Sequence, residues 1–318
     1  MKKNLPLISK QIYSEDVFKL LKDNYAVIGP KWISSQLGWI NDSYSSFKDH
    51  DKFLIVIYLI KKTLDFYSRN FTKLSFDEFY SKDFVEIEKF NLIEISEYLN
   101  IPKESARRKI VELESSLIIK RTKIKIILGR SAFSFEKTIN SIKRISRFLA
   151  SFSKILEDNN ILPKQISSEL LKKVIENNYS YAWKLYYELQ IPMTQGYKKN
   201  FGDIETFHIF VTCIVNQHLF SKQHNKKEMS RVEFIESIYT SIKMQGVNAM
   251  SISDITGIPR ATVVRKLKKL VKQKHLTIDD KKHYRITGSF VKELIPIQNI
   301  VLNQLAIFST KIYNLVTL

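Results

Sequence analysis

The chain has 318 residues, enough for about two domains with cores of their own, and 44% of them are hydrophobic, which excludes a disordered tail protein. It carries 51 Lys and Arg against 32 Asp and Glu, a net charge of +19, and such a field favours polyanions: nucleic acid or an anionic membrane surface. A lone cysteine, Cys213, excludes an internal disulfide framework and points to a cytoplasmic setting. Lys-rich composition also accompanies AT-rich prokaryotic coding, so charge alone does not decide the partner.

The first 18 residues are basic but lack the apolar core of a signal peptide. Only 8 Gly and 7 Pro favour long helices. An apolar helix is expected at about 52–68, and its most apolar run, Phe53–Ile60, is far shorter than the ~20 residues that span a bilayer. Ser75-x-x-Glu78-Phe79 follows. The segment Ile95–Leu113 then reads as two short helices with Asn100 and Pro102 between them. Ala106, Ile110 and Leu113 fall at i, i+4 and i+7 on the second helix, one buried stripe. Ile118–Leu128 partly alternates apolar and basic residues, the pattern of a strand or hairpin. Phe135–Leu156 is an amphipathic helix with Lys143, Arg144 and Arg147 on its polar side; packing on protein and lying on a membrane both fit it. Asn159–Lys164 breaks the helix and divides the chain at 158/159.

The second part follows the same order. A helix is expected at about 206–221, then Ser230-x-x-Glu233-Phe234, then Ile252–Leu270. Here a helix over 251–256 ends at Gly257, Pro259 opens the next, and Val263, Leu267 and Leu270 form its buried stripe. Leu276–Ile286 holds two short strands around an Asp279–Lys282 turn, and a more apolar helix lies near 290–316. His208, Cys213 and His218 are spaced by five and do not share a helix face, so no metal site is expected. No Walker loop, glycine fingerprint or nucleophile elbow is present, so neither an enzyme nor a cofactor is expected.

Ile95–Leu113 and Ile252–Leu270 match at a constant offset of 157, with 7 of 19 residues identical: Ile95/Ile252, Ser96/Ser253, Ile101/Ile258, Pro102/Pro259, Arg108/Arg265, Lys109/Lys266 and Leu113/Leu270. The chain is therefore an internal repeat. The expected fold is mainly α with small β wings: two tandem winged helix-turn-helix units, each flanked by amphipathic helices. The units are 1–158, with its motif at 91–129, and 159–318, with its motif at 248–288. Residues 258–267, Ile-Pro-Arg-Ala-Thr-Val-Val-Arg-Lys-Leu, resemble the start of the recognition helix in IclR- and GntR-type winged helix regulators, through Pro259, Arg260, Thr262 and Arg265. The first copy matches through Pro102, Lys103, Ser105 and Arg108. The resemblance covers about 40 residues per unit, and nothing matches the ligand-sensing domains of those regulators.

The resemblance implies double-stranded DNA as partner and a nucleoid-associated transcription regulator that reads two half-sites. Lys103, Ser105 and Arg107, with Arg260 and Thr262, are placed to approach base edges. Arg108 and Arg265 would read guanine or clamp phosphate. Lys109, Lys266, Lys268 and Lys269 would contact phosphates, and wing residues Lys123, Lys125, Lys281, Lys282 and Arg285 the flanking backbone. Taken singly, each also reads as a solvated surface charge. The net charge is +7 over 248–288 but +3 over 91–129, where Glu104, Glu112 and Glu114 intervene. A replication initiator with paired winged helices and a winged-helix protein-interaction module remain alternative readings. No membrane partner is expected, and homo-oligomer formation is left open.

Overall fold

The computed structural model describes residues 11–122, 125–220, 229–240 and 246–317. The first half runs α1 (Ser14–Asp23), α2 (Tyr25–Phe47), α3 (His50–Arg69), α4 (Phe76–Tyr80), β1 (Phe84–Ile87), α5 (Leu92–Leu99), α6 (Lys103–Ser115), β2 (Ile119–Arg121), β3 (Ile126–Gly129) and, after one 3-10 turn, α7 (Phe135–Asp158). The second runs α8 (Ser168–Asn177), α9 (Tyr179–Phe201), α10 (Ile204–Phe220), α11 (Arg231–Thr240), α12 (Ala249–Thr256), α13 (Arg260–Lys272), β4 (Leu276–Ile278), β5 (Tyr284–Ile286), α14 (Gly288–Glu293) and α15 (Ile295–Thr317). The chain is mainly helical with small antiparallel sheets.

The repeat extends well beyond the two short motifs. α1 and α8 each have 10 residues, and α2 and α9 each have 23, at an offset of 154. α6 and α13 each have 13 residues, at an offset of 157. Local chemistry repeats as well. Ser75 and Glu78 form a reciprocal capping box that opens α4. Ser230 and Glu233 exchange the same two hydrogen bonds at α11, at 2.8 and 3.3 Å. α5 ends at Asn100 with φ 48°, and α12 at Gly257 with φ 70°, left-handed residues that turn the chain into the next helix. α12 starts at Ala249, two residues before the expected 251, because Asn248 caps it by accepting from the Ser251 amide at 2.9 Å.

The halves exchange helices across a shared core. α1 packs on α15, and α8 on α7. α3 packs on α9, and α10 on α2. The apolar stripe of α7, including Ile145, Phe148, Leu149 and Phe152, is buried, as is that of α15, including Leu305, Phe308 and Ile312. Tyr313 of α15 donates to the Leu149 carbonyl of α7 at 2.6 Å. These stripes pack both on their own half and on the opposite one, α7 on α2 and α8, α15 on α1 and α9, and their burial helps hold the halves together. The amphipathic pattern of Phe135–Leu156 thus serves packing on protein, and no helix among the described residues is long and apolar enough to cross a membrane.

The sheets sit after the paired short helices. β2 and β3 are antiparallel, with Ile119 opposite Leu128 and Arg121 opposite Ile126. β1 adds a third strand on the far side of β3, beyond the expected hairpin. In the second half β4 and β5 pair from Leu276/Ile286 to Ile278/Tyr284. Among the described residues a single bridge, Val247 to Tyr284, stands where β1 would be.

Two buried histidines meet where the halves join. His50 begins α3, His208 lies on α10, and their ring centroids are 5.3 Å apart. Ser43 Oγ lies 3.0 Å from His50 Nδ1, and His208 Nε2 is 2.6 Å from Asn41 Oδ1. Burial pulls His50 down to about 4, although the Asp49 and Asp203 charges oppose it. Burial, reinforced by His50, drives His208 well below its usual value. Unfolded histidine takes up a proton near pH 6.5, whereas these folded rings refuse it until lower pH. Stability is therefore complete above that value and declines as pH falls toward about 4, by up to about 1.4 kcal/mol per pH unit for each histidine. Urea unfolding at a series of pH values is expected to show this decline, and His50→Asn to flatten it by about one proton; an unchanged slope in the variant contradicts the assignment.

Candidate nucleic-acid interface

α13 buries Val263, Leu267 and Leu270 completely, where it packs on α10 and α12. Helical geometry then turns Arg260, Ala261, Arg265 and Lys268 outward, and all four are exposed. Thr262 is half-buried beside them. Among the described residues no carboxylate lies within ion-pair distance of Arg260, Arg265 or Lys268.

The β4–β5 hairpin flanks this helix. Asp279 Oδ1 accepts from the amides of Lys281 and His283, at 3.1 and 2.9 Å. These bonds hold Lys282 in the left-handed region at φ 61°. The His283 amide is the main reason the Asp279 carboxyl sits below its usual range. Lys281 and Lys282 are exposed at the tip. Arg285 is instead half-buried, with its guanidinium 3.4 Å from Asp279. Helix and hairpin enclose a groove of about 870 Å³, lined by Arg260, Lys268, Lys272, Lys281 and Lys282 and floored by Met250, Val264, Val271, Ile278 and Tyr284. Lys272 was not among the expected site residues. Its place one turn beyond Lys268 on the same face is visible in the sequence.

The first half presents a different surface. Lys103 is exposed and Ser105 half-buried at the start of α6. Arg107 pairs with Glu104 at 2.9 Å, and Arg108 approaches Glu112 to 3.8 Å. Lys52 reaches Glu112 at 2.6 Å, and Arg121 pairs with Glu114. Lys125 is 3.2 Å from Glu86 and 5.0 Å above the Phe84 ring. Lys123 lies outside the described residues. Exposed Val111 occupies the place that Lys268 holds in the second half. The charges of this face are therefore largely neutralised locally.

Three lysines expected to contact phosphates point elsewhere. Lys109 and Lys266 are only 8% and 9% exposed. Lys109 pairs with Asp49, and Lys266 with Asp203 at 2.5 Å. Each aspartate also caps its helix: Asp49 accepts from the Lys52 amide at 3.1 Å, and Asp203 from the Thr206 amide at 2.8 Å. Burial raises the Asp203 carboxyl, but hydrogen bonds from Lys266 and Thr206 outweigh it, so the net direction is down. Asp49 follows the same logic, with burial overcome by Lys109 and the Lys52 amide. Lys269 donates to the Phe201 carbonyl at 3.0 Å and lies 4.0 Å from Asp203. These lysines tie the helix to its scaffold. In the sequence they share the Lys-rich run of the outer face and cannot be told from it.

Comparisons with protein-family models, with curated proteins and with solved structures found no match to this chain.

Asp203→Ala is expected to lower stability by about 3 kcal/mol, because it strands the buried Lys266 charge. Adding Lys266→Met removes that charge and restores most of the loss. Chemical denaturation distinguishes this from a simple sum of two losses, which would mean that the pair is not coupled.

Proposed function

We propose that the chain is a sequence-reading, double-stranded DNA-binding protein of the transcription-regulator class, built from tandem winged helix-turn-helix units. The second unit supplies most of the contact. The observation that carries this reading is the outer face of α13 together with the hairpin tip: Arg260, Arg265, Lys268, Lys281 and Lys282 are exposed and carry no ion pair among the described residues. In this reading the start of α13 enters a major groove, with Arg260, Thr262 and Arg265 toward base edges. The groove between helix and hairpin takes the sugar–phosphate backbone through Lys268, Lys272, Lys281 and Lys282. The first unit binds DNA weakly. Its α6 cations are matched by Glu104 and Glu112, and exposed Val111 and Leu117 suit a protein partner better than phosphate.

The test begins with selection of a preferred site from random duplexes. Affinity for that site falls by roughly a thousandfold between 50 and 200 mM salt if about six phosphates are contacted. Lys268→Ala weakens all duplexes alike and lowers the salt slope by about one. Arg265→Ala costs about 1–3 kcal/mol on the preferred site and relaxes its sequence. Arg108→Ala leaves both nearly unchanged. A loss from Arg108→Ala as large as that from Arg265→Ala contradicts the assignment of reading to the second unit.

A further inference from the structure

A second feature of the molecule lies away from this surface. Between α2 of the first half and α9, α10 and α15 of the second is a cleft with about 580 Å³ of free space, counted to its open mouth. Only about 50 Å³ of it admits the centre of a water molecule, so the free space is a narrow slot with room for few atoms. One wall is a flat aromatic pair: Tyr197 and Phe207 stack with centroids 4.1 Å apart and planes 8° from parallel. Trp32 lies on the opposite half's side. Among the described residues no charged side chain lines it.

Two amides on the wall are unsatisfied. Gln36 is 95% buried, and neither its Nε2 nor its Oε1 has a hydrogen-bond partner among the described residues. The buried Oε1 of Gln298 has none either. An unpaired buried amide costs about 1–3 kcal/mol, so three such atoms around one slot call for an occupant.

The other half provides an internal control. At the repeat-equivalent place a second cavity is lined by Trp39, Phe53, Ile57 and Thr138, where the slot has Met193, Phe207, Val211 and Gln298. There the polar groups are satisfied by the protein itself. Tyr80 donates to Thr138 Oγ1 at 2.5 Å, and Lys137 donates to Ser46 Oγ at 3.0 Å. Gln190, the counterpart of Gln36, lies beside the Tyr186 phenol where Gln36 has Trp32; its amide atoms are unpaired too, but it does not line that cavity. The repeat thus builds the same hollow twice and leaves an unpaired glutamine amide in each half, but among the described residues only the slot has such amides on its wall.

We infer that the slot between α2, α9, α10 and α15 is a binding site for a small, flat, neutral aromatic molecule with a primary carboxamide edge. A carboxamide carbonyl accepts from Gln36 Nε2. Its two N–H groups supply Gln36 Oε1 and Gln298 Oε1, which matches all three open atoms. A charged ligand is disfavoured, because among the described residues the nearest cation, Arg231, lies against the Tyr25 ring and does not line the slot. The inference does not depend on DNA binding, and its test contains no DNA.

Benzamide is the probe, titrated into the full-length protein while tryptophan fluorescence and melting temperature are followed. Saturable quenching with about millimolar affinity is expected, as suits a ligand of its size. Benzoate and toluene bind at least tenfold more weakly. Gln36→Leu replaces the open amide with an apolar group of similar size, so it melts at or above the wild-type temperature yet loses benzamide at least tenfold. Gln298→Leu is the second variant, with the same expectation, should the first not fold. The proposal is overturned if benzamide shows no saturable binding up to its solubility limit. It is equally overturned if toluene binds as well as benzamide, or if the glutamine variant keeps its affinity, since the slot is then only a water-filled or apolar gap.

Discussion

Each of the two long second-layer helices begins at an aspartate that serves two masters, its own helix and a lysine from the helix lying across it. Asp49 caps α3 and holds Lys109 of α6; Asp203 caps α10 and holds Lys266 of α13. A lysine amid apolar neighbours is tolerable only with such a partner, so the pair specifies how far along the scaffold each crossing helix sits. Once that register is set, Val263, Leu267 and Leu270 point into the core and Arg260, Arg265 and Lys268 have nowhere to go but outward. The proposed DNA surface is a consequence of this anchoring as much as of the charged residues themselves.

The same anchor appears in both halves, yet the surfaces it presents differ. In α6 the outward positions hold Glu104 and Val111, where α13 has Ala261 and Lys268. Glutamates pair with neighbouring arginines on the first surface, and exposed ion pairs of this kind add little stability while they cancel the field a polyanion would feel. Because α1, α8, α7 and α15 are exchanged between halves, the two surfaces are joined through one core rather than a linker. An interlocked arrangement of this kind joins the two faces through one core, while allowing each face to diverge.

Much of this was legible in the sequence, for identifiable reasons. Asn100 and Gly257, followed by Pro102 and Pro259, mark the joint between the short helices, because few other residues take a left-handed turn before a helix start. The stripes of Ala106, Ile110 and Leu113 and of Val263, Leu267 and Leu270 are local periodicities, and all six residues are buried. Long-range pairings were not legible. Lys109 and Lys266 sit in runs of basic residues, and only the three-dimensional approach of Asp49 and Asp203, sixty or more positions earlier, removes them from the surface. β1 was missed because Phe84–Ile87 is short and its partner β3 lies some forty residues onward. The slot beside Gln36 depends on four helices from both halves, and no local pattern announces it.

The measurement that bears most directly on the division of labour is lysine acetylation footprinting, read by mass spectrometry with and without the selected DNA duplex. The account predicts that Lys268, Lys281 and Lys282 react freely in the isolated protein and are protected in the complex. Lys103 and Lys120 should stay reactive in both states, and Lys109 and Lys266 should be slow in both. Protection centred on Lys103 and Lys120, with Lys268 and Lys282 still open, would contradict it.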